Sequence, residues 1–400
     1  MAVPERTDHL ETPQTVGIVG AGQLARMLCE AASALGVATV VLAARGDDAA
    51  TQVAGDVTIG GANDAVALSS LARRCDVVTF DHELVDLEAL SALEGCGVAV
   101  RPSSRALRAA VDKAHQRRTF AEAGLPVPRF CILDGDAATD LEALRALADE
   151  LGEVPVVKAA RGGYDGRGVV VADTLDEAAG AVRRWRDGGV AVVAEAPCAF
   201  RAELAALVAR RPGGETVQWR TVQTDQLDGV CREVRVPGSV DDATARRAAE
   251  LAGRVAEHLG VVGVLAVELF DTADGLVVNE VATRPHNSGH WTIEGATTSQ
   301  FENHLRAVLD LPLGATDTVA PAICSVNVFG APDGAVPGSL AAALAEPSAK
   351  VHLYGKAPRP GRKLGHVTVV GTDAADVAAR AWRVAAALGT PVAANAGAER

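Results

Sequence analysis

The chain has 400 residues, of which 48% are hydrophobic and 22% are charged, and its formal net charge at pH 7 is -13. This composition is typical of a globular protein with two or three domains. The acidic balance argues against a nucleic-acid-binding surface, which needs clustered Lys and Arg, but it allows local cationic pockets for small anions.

Several features predict a cytoplasmic protein with no membrane or nucleic-acid partner. No apolar run reaches the ~20 residues that a membrane-spanning helix needs, and the N-terminal segment lacks the apolar core of a secretory signal. Residues 1–14 are polar and aperiodic, which predicts a flexible tail. The seven cysteines include no C-x-x-C pair, so we expect buried, reduced thiols.

Residues 15–112 predict an N-terminal Rossmann-like domain. The segment TVGIVGAGQLARMLCEAASALGVATVVLA has a strand over Val16–Val19, a glycine turn, a helix to about Leu35 and a second strand. Gly20 and Gly22 fit a dinucleotide-binding fingerprint, but alanine stands at its third glycine position. The turn could therefore hold a nicotinamide cofactor, hold another phosphate at the helix N-terminus, or serve only close packing.

A glycine-rich segment follows the next predicted elements. Residues 104–123 predict one helix, which Pro126 and Pro128 end. A strand, VPVVKAA, then leads into RGGYDGRGVV (residues 161–170), which predicts a flexible hairpin because a second apolar run follows it. The P-loop pattern is absent. The hairpin is either a structural turn or a flap whose N–H groups cover nucleotide phosphates beside Lys158.

A later hairpin carries two carboxylates. GVLAVELF and GLVVNEVA predict two strands joined by DTADG, whose Asp-Gly favours a turn. Glu268 lies in the first strand, and Asn279 and Glu280 lie in the second. These oxygen ligands suit Mg²⁺, which also keeps waters and phosphate oxygens. Because buried carboxylates are costly without a cation, we expect a metal site here.

Two donor-rich segments follow this hairpin. The loop ATRPHNSGHWTIEG contains Arg284, His286, Asn287, Ser288 and His290. A single histidine in such a loop is usually structural, but this density of donors predicts a site. The segment YGKAPRPGRKLGH contains the cations Lys356, Arg359, Arg362 and Lys363. It is either a solvated basic turn or a site for a phosphate group.

Taken in order, GQLARM, GGYDGRG, VVNEVATRPHNSGHWTIEG and YGKAPRPGRKLGH resemble the ATP-grasp superfamily, and within it the ATP-dependent 5-(carboxyamino)imidazole ribonucleotide synthase family of purine biosynthesis. The resemblance covers nearly all of the chain past residue 14. It implies an α/β protein with a biotin-carboxylase-like N-terminal domain, an ATP-grasp domain over residues 113–315 and a small C-terminal α+β domain over residues 316–400. It also implies a homodimer.

The same resemblance implies the site residues. ATP would be bound by Lys113, Lys158, Gly163, Tyr164, Asp165, Gly166, Arg167, Gly168, Val169, Glu195, Ala196, Pro197, Cys198, Glu203, Gln226, Asn279 and Glu280. The metal ligands would be Glu268, Asn279 and Glu280. The substrate would contact Gln23, Leu24, Asp81, Glu83, Asp165, Asn287, Ser288, Lys356, Arg362 and Lys363. The catalytic residues would be Tyr164, Arg167, Arg284, His286 and Lys356.

Some positions depart from the residues usual in this family. Lys113 and Arg117 stand where arginine and then lysine are common, which keeps the charge but changes the geometry of the donors. Gln226 stands where a histidine is common, and Cys198 replaces a hydrophobic residue. The segment FDHELVD stands where YEFENV is common. These changes bear on ATP affinity more than on the reaction.

The implied reaction is an ATP-dependent ligation that forms a C–N bond. Bicarbonate would attack the γ-phosphate of ATP, and the resulting carboxyphosphate would carboxylate the exocyclic amine of 5-aminoimidazole ribonucleotide, with Mg²⁺ neutralising phosphate charge. Other ATP-grasp enzymes, of the formate-dependent glycinamide ribonucleotide type or the biotin carboxylase type, would share the ATP residues. A nicotinamide oxidoreductase and a noncatalytic ATP-binding protein are further alternatives.

Overall fold

A computed structural model describes residues 14–163, 168–227, 229–331 and 338–391. The chain divides into two compact units, the first ending at Arg101 and the second beginning at Pro102. Both units combine helices with sheets, which agrees with the α/β class expected from the sequence. No helix in these ranges is both long and apolar enough to cross a membrane.

The first unit is a parallel sheet with helices between its strands. Its elements are β1 (Thr15–Val19), α1 (Gln23–Ala34), β2 (Ala38–Ala43), a 3₁₀ turn (Ala49–Gln52), β3 (Asp56–Ile59), α2 (Ala65–Ala72), β4 (Val77–Phe80), α3 (Leu87–Gly95) and β5 (Ala99–Val100). The strand order is β3-β2-β1-β4-β5, and every pairing is parallel. The central strands are apolar runs because both faces of the sheet are covered. The predicted strand, glycine turn and helix are confirmed.

Asp81, which follows β4, holds the turn between β1 and α1. Its two carboxylate oxygens accept hydrogen bonds from the N–H groups of Gly22 and Ala25, each at 2.8 Å. Gly20 has a φ of +96°, and a Cβ at Gly22 would lie 2.5 Å from Asp81 Oδ2. The glycines therefore allow this close approach. A carboxylate of the chain occupies the helix N-terminus, where a bound phosphate would otherwise sit, which supports the packing interpretation.

Asp81→Ala should destabilise the first unit by about 2 kcal/mol, because it removes a helix-capping carboxylate and leaves buried N–H groups unpaired. Urea unfolding and hydrogen exchange at the start of α1 would measure the effect. Asp47→Ala is the control, because Asp47 is exposed and pairs with Arg45 at the surface. Equal protection of α1 in the D81A variant and the wild type would contradict the capping role.

The second unit begins with two helices and a small sheet. Its first elements are α4 (Ser104–Val111), α5 (Lys113–Glu122), β6 (Phe130–Leu133), α6 (Ala137–Leu151), β7 (Val156–Ala159), β8 (Val169–Val170), α7 (Leu175–Asp187) and β9 (Val192–Glu195). The four strands form an antiparallel sheet in the order β6-β9-β7-β8. Apolar side chains of α6 and α7 pack on this sheet. The predicted hairpin is confirmed, although β8 has only two residues.

A nine-stranded sheet follows. Its elements are β10 (Phe200–Arg210), β11 (Thr216–Gln218), β12 (Val222–Leu227), β13 (Val230–Val236), α8 (Asp242–Leu259), β14 (Gly263–Thr272), β15 (Gly275–Ala282), a 3₁₀ turn (Asn287–Gly289), α9 (Thr292–Gly295), α10 (Gln300–Val308), β16 (Ala322–Phe329), α11 (Leu340–Ala343), β17 (Lys350–Leu353), β18 (Lys363–Gly371) and α12 (Ala374–Ala387). The order is β15-β14-β10-β12-β13-β16-β18-β17, with β11 beside β10. Helix α8 packs on β10 and β14, and α12 packs on β16 and β18.

The helix expected over residues 104–123 is two helices, so this expectation was wrong. Asp112 lies between α4 and α5 in an extended conformation, with φ -127° and ψ 102°. Its Oδ1 accepts a hydrogen bond from the N–H of His115 at 3.0 Å, which caps α5. The break places Lys113 at the first position of the second helix. The division of the chain at residues 112 and 315 stays a prediction, and the nine-stranded sheet contains strands from both sides of residue 315.

Candidate active site

Two cations on one face of α5 contact the strand that carries the predicted metal ligands. Lys113 and Arg117 are one helical turn apart, so both side chains project the same way. The Lys113 ammonium pairs with the carboxylate of Glu280 on β15. Arg117 donates a hydrogen bond to the main-chain oxygen of Asn279 at 2.8 Å. Lys113 and Arg117, two of the residues that depart from the family pattern, therefore both face β15.

Glu195, at the end of β9, is the centre of a buried charge cluster. Arg117 Nε donates to Glu195 Oε2 at 2.9 Å, and the ammonium of Lys158 on β7 pairs with the other oxygen. The side chains of Arg117 and Glu195 are 1% and 3% exposed. Burial alone would raise the pKa of Glu195, but the two cations hold it below its ordinary value. The carboxylate of Glu195 thus positions two cations.

The two ends of the predicted flap, at Gly163 and Gly168, approach each other closely. Lys158 lies opposite Val169 in the β7–β8 pair. A Cβ at Gly168, whose φ is +84°, would lie 3.1 Å from the Cα of Gly163, so glycine is needed for this approach. Lys158 Nζ also donates to Asn279 Oδ1 at 3.2 Å. The chain therefore fixes the lysine at the point where the flap begins. The predicted site residues Tyr164, Asp165, Gly166 and Arg167 lie outside the described residues.

Three carboxylates share one face of the large sheet. Glu268 on β14 lies directly opposite Glu280 on β15. Glu203 on β10 shares their face, because Ala205, two residues further along, lies opposite Glu268. Burial and repulsion from the two other glutamates raise the pKa of Glu268 to about 7. Burial also acts on Glu280, but Lys113 holds its pKa below the ordinary value.

Glu203 has a buried carboxylate oxygen that could accept a hydrogen bond from a ligand. Its Oε2 has no hydrogen-bond partner within the described part of the chain. Burial and the charge of Asp225 raise the pKa of Glu203 to about 7, while a hydrogen bond from Gln226 acts in the opposite direction. A buried acceptor without a donor is costly. A hydroxyl or amine of a bound molecule would satisfy this oxygen.

His286 is oriented by its own loop. Its Nδ1 accepts a hydrogen bond from the N–H of Ser288 at 3.4 Å and lies 2.9 Å from Ser288 Oγ. Burial, with Arg284 and Lys363 nearby, lowers the pKa of His286 to about 3, so the ring is neutral. Its hydrogen is therefore on Nε2, which lies 3.6 Å from Glu268 Oε1. This arrangement suits a donor better than a general base.

The other predicted residues of this loop differ in their surroundings. Asn287 Nδ2 is buried with no hydrogen-bond partner in the ranges that the structure describes, so it can donate to a ligand. His290 is 2% exposed, and its Nδ1 lies 3.3 Å from Gln300 Nε2, which is a structural environment. Arg284 donates to the main-chain oxygen of Pro285 at 3.1 Å.

The segment from Lys356 to Lys363 brings Lys363 into the same region. The charge of Lys363 acts against the larger effect of burial on the pKa of Glu268, and it adds to the lowering of the pKa of His286. Lys363 therefore lies near both side chains. Arg362 donates to the main-chain oxygen of Ala357 at 3.0 Å, which folds the segment back on itself. The sequence analysis missed the rings beside it: His352 and His366 lie on the paired strands β17 and β18, and Tyr354 follows β17.

The remaining predicted nucleotide residues follow β9. Ala196, Pro197 and Cys198 are partly exposed, and the N–H of Ala196 donates to the main-chain oxygen of Arg129 at 2.8 Å. The thiol of Cys198 contacts the main-chain oxygen of Ala196 at 3.7 Å. This short segment therefore has an ordered main chain. Its contact with a nucleotide stays a prediction.

Four predicted substrate residues lie in the first unit. Gln23 and Leu24 begin α1, Asp81 caps that helix, and Glu83 follows Asp81 after β4. They lie at the carboxyl ends of adjacent parallel strands, where ligands commonly bind in such sheets. Their role toward a substrate stays a prediction.

The predicted metal ligands fit Mg²⁺. Across the described ranges, no group of three or more His, Cys, Asp or Glu side chains forms a ready metal site. Glu268 and Glu280 are directly opposed on neighbouring strands, and Asn279 lies beside the second. Burial, and then repulsion from Glu280 and Glu203, raise the pKa of Glu268, and a bound cation would counter both effects. These hard oxygen donors suit an ion that takes its other ligands from phosphate and water.

Three family models match the chain in order. The ribonucleotide synthetase preATP-grasp domain matches residues 13–111, and the ATP-grasp domain matches residues 118–301. The phosphoribosylaminoimidazole carboxylase C-terminal domain matches residues 324–380. These matches confirm the resemblance drawn from the motifs, and they set aside the oxidoreductase alternative.

Known proteins match over nearly the whole chain. The N5-carboxyaminoimidazole ribonucleotide synthase of Mycobacterium tuberculosis is 50% identical over 372 residues, 92% of this chain and 86% of that protein. The carboxyaminoimidazole ribonucleotide synthase of Aspergillus clavatus, solved with ATP, has a TM-score of 0.84 at 33% identity, covering 94% of this chain and 98% of that chain. Its complex with ADP and 5-aminoimidazole ribonucleotide has a TM-score of 0.85 at 32% identity, covering 94% and 99%. The chain therefore belongs to the N5-carboxyaminoimidazole ribonucleotide synthases, the ATP-grasp enzymes that convert 5-aminoimidazole ribonucleotide to its N5-carboxyamino form in purine biosynthesis.

Proposed function

We propose that the second unit carries out the ATP-dependent half of this reaction at the sheet face around Glu268 and Glu280. The observation that carries the proposal is the convergence there of two opposed carboxylates with the ammonium groups of Lys113 and Lys158. The donor-rich loop containing His286 borders the same face. This combination suits a nucleotide triphosphate, a metal ion and a small anionic substrate.

ATP phosphates would bind between Lys158 and the flap. Glu195 and Asn279 hold the lysine in place before ATP binds, so little reorganisation is needed. Lys113 would exchange its pairing with Glu280 for a phosphate oxygen, which would release the carboxylate for the metal. Glu203, whose Oε2 has no partner among the described residues, would accept a hydrogen bond from a ribose hydroxyl.

The reaction would proceed in two steps. An oxygen of bicarbonate attacks the γ-phosphorus of ATP, and the bond to ADP breaks, which gives carboxyphosphate. The amine of 5-aminoimidazole ribonucleotide then attacks the carboxyl carbon, phosphate leaves and the nitrogen loses a proton. Mg²⁺, held by Glu268 and Glu280, would neutralise charge on the phosphate oxygens. Because carboxyphosphate hydrolyses readily, the flap would close over it and exclude water.

The second substrate would lie beside the loop of His286 and the segment that begins at Lys356. Neutral His286 would present its Nε2–H toward Glu268 and the bound substrate. Asn287, whose Nδ2 has no acceptor in the described part of the chain, would donate to the substrate. The family resemblance also supports a homodimer in the cytoplasm, and the molecular mass in solution tests the dimer.

Phosphate release should require ATP, Mg²⁺, bicarbonate and 5-aminoimidazole ribonucleotide together, because the proposed chemistry uses each of them. A coupled phosphate assay, with one component omitted at a time, would measure this. Formate in place of bicarbonate is the control and should give only background release. A folded sample that releases no phosphate with every component present would refute the proposal.

A further inference from the structure

A cluster of buried and half-buried rings lies next to the cation segment, and the proposed reaction does not use it. This ring cluster consists of Tyr354, which follows β17, with His352 and His366. Tyr354 is 2% exposed and His366 is 0% exposed. The hydroxyl of Tyr354 lies 2.9 Å from His366 Nδ1, within hydrogen-bond distance. The phenol ring is therefore fixed at its polar end.

The ring cluster is itself anchored on several sides. His352 lies directly opposite His366, and their rings stack at 4.5 Å with 10° between their planes. His352 Nε2 lies 2.6 Å from Glu294 Oε1, which ties β17 to α9. The N–H of Tyr354 donates to the main-chain oxygen of Leu364 at 2.9 Å, which continues the ladder beyond β17. Tyr354 is thus held through both its main chain and its hydroxyl.

The fixed phenol ring faces a cation of the proposed site. Lys356 Nζ lies over the ring of Tyr354, 5.7 Å from its centroid. This distance is within the range of a cation–π interaction. A lysine side chain is long and flexible, so it loses substantial rotamer freedom when it binds a ligand. A ring that cannot move reduces this loss by favouring one position of the ammonium group.

We propose that Tyr354 is a positioning residue that holds the ammonium group of Lys356 for the second substrate. The inference rests on the proposed role of Lys356 in binding 5-aminoimidazole ribonucleotide. The ring of His366 is also uncharged, because burial keeps the pKa of His366 well below its ordinary value. The apolar face beneath the lysine thus carries no competing charge from that histidine.

Tyr354→Leu removes the ring face and should raise the KM for 5-aminoimidazole ribonucleotide about tenfold, as expected for loss of one cation–π contact. The KM for ATP should not change, since Lys158 and the flap bind that substrate. Tyr354→Phe keeps the ring and should return the KM to within about threefold of the wild type. Leu353→Ala, at the exposed neighbouring position, is the matched control. Tyr354→Met serves if the Y354L variant does not fold.

A double-mutant cycle with Lys356→Met separates positioning from a general loss of structure. If Tyr354 acts through Lys356, Y354L should add less than about twofold in the K356M background. Acylation of Lys356, followed by mass spectrometry, should also be faster in Y354L than in Y354F. An unchanged KM in Y354L, or an equal effect of Y354L in both backgrounds, would overturn the proposal. Failure of the wild type to release phosphate would instead refute the proposed function.

Discussion

Glu280→Ala should reduce turnover by about 10³-fold or more while the fold stays intact, because it removes one of two opposed carboxylates that would hold Mg²⁺ at the transferring phosphate. The side chain of Glu280 is 42% exposed, so its loss should have little effect on packing. Phosphate release at saturating substrate, together with circular dichroism and thermal unfolding, would measure both parts of the prediction.

A second variant separates the two contacts of Glu280. Glu280→Gln keeps an oxygen that can accept a hydrogen bond from Lys113 but loses the carboxylate charge that would balance a divalent cation. We expect this variant to be nearly as inactive as E280A. Glu215→Ala is the control, because Glu215 is an exposed residue that pairs with Arg211 at the surface. Normal turnover in E280Q would rule out the metal role and leave only the pairing with Lys113.

Local sequence patterns were sufficient for much of the fold. The strands β14 and β15 and their turn follow from apolar runs separated by Asp-Gly, and the structure has the same hairpin. The β7–β8 hairpin was also predicted, because glycines between two apolar runs indicate a turn. These hairpins depend on residues that are close in sequence, so a local sequence pattern is enough to predict them.

Long-range contacts could not be predicted in the same way. The hydrogen bond between Lys113 and Glu280 joins residues 167 positions apart, and no local pattern indicates it. The capping of α1 by Asp81 is also a long-range contact, since Gly22 and Asp81 belong to different strand–helix units. Asp112, however, was a missed local signal, because aspartate is a strong helix-capping residue and could have indicated the break before α5.

The buried charge cluster explains why these distant contacts matter for the site. Glu195 connects α5, through Arg117, to β7, through Lys158. Asn279 extends the connection to β15, because it accepts hydrogen bonds from both cations. Lys158, proposed to bind phosphate, is therefore linked to the strand that carries Glu280 by Asn279 and by the shared carboxylate of Glu195.

Glu195→Gln should destabilise the second unit by about 3–5 kcal/mol, because it leaves the buried cations Arg117 and Lys158 without their carboxylate. Urea unfolding would measure the change, with Glu150→Gln as the control, since Glu150 pairs with Arg129 at the surface. The pKa of Glu195 lies below its ordinary value of 4.5 in the fold. Its ionised form therefore stabilises the protein above that pH, and this contribution is lost as the pH falls through the lowered pKa. The difference between E195Q and the wild type should shrink in acid accordingly.

The double variant R117M/E195Q provides the sharper test of the cluster. With Arg117 replaced by an apolar residue of similar length, Lys158 is the cation of this cluster that remains. Asn279 still accepts a hydrogen bond from Lys158. The double variant should therefore be more stable than E195Q alone, although it carries one more substitution. The contradicting result is a loss of unfolding free energy in the double variant that equals the sum of the losses in R117M and E195Q. Glu195 would then not act as the shared counter-ion of the two cations, and packing and neutral hydrogen bonds would account for the stability of this region.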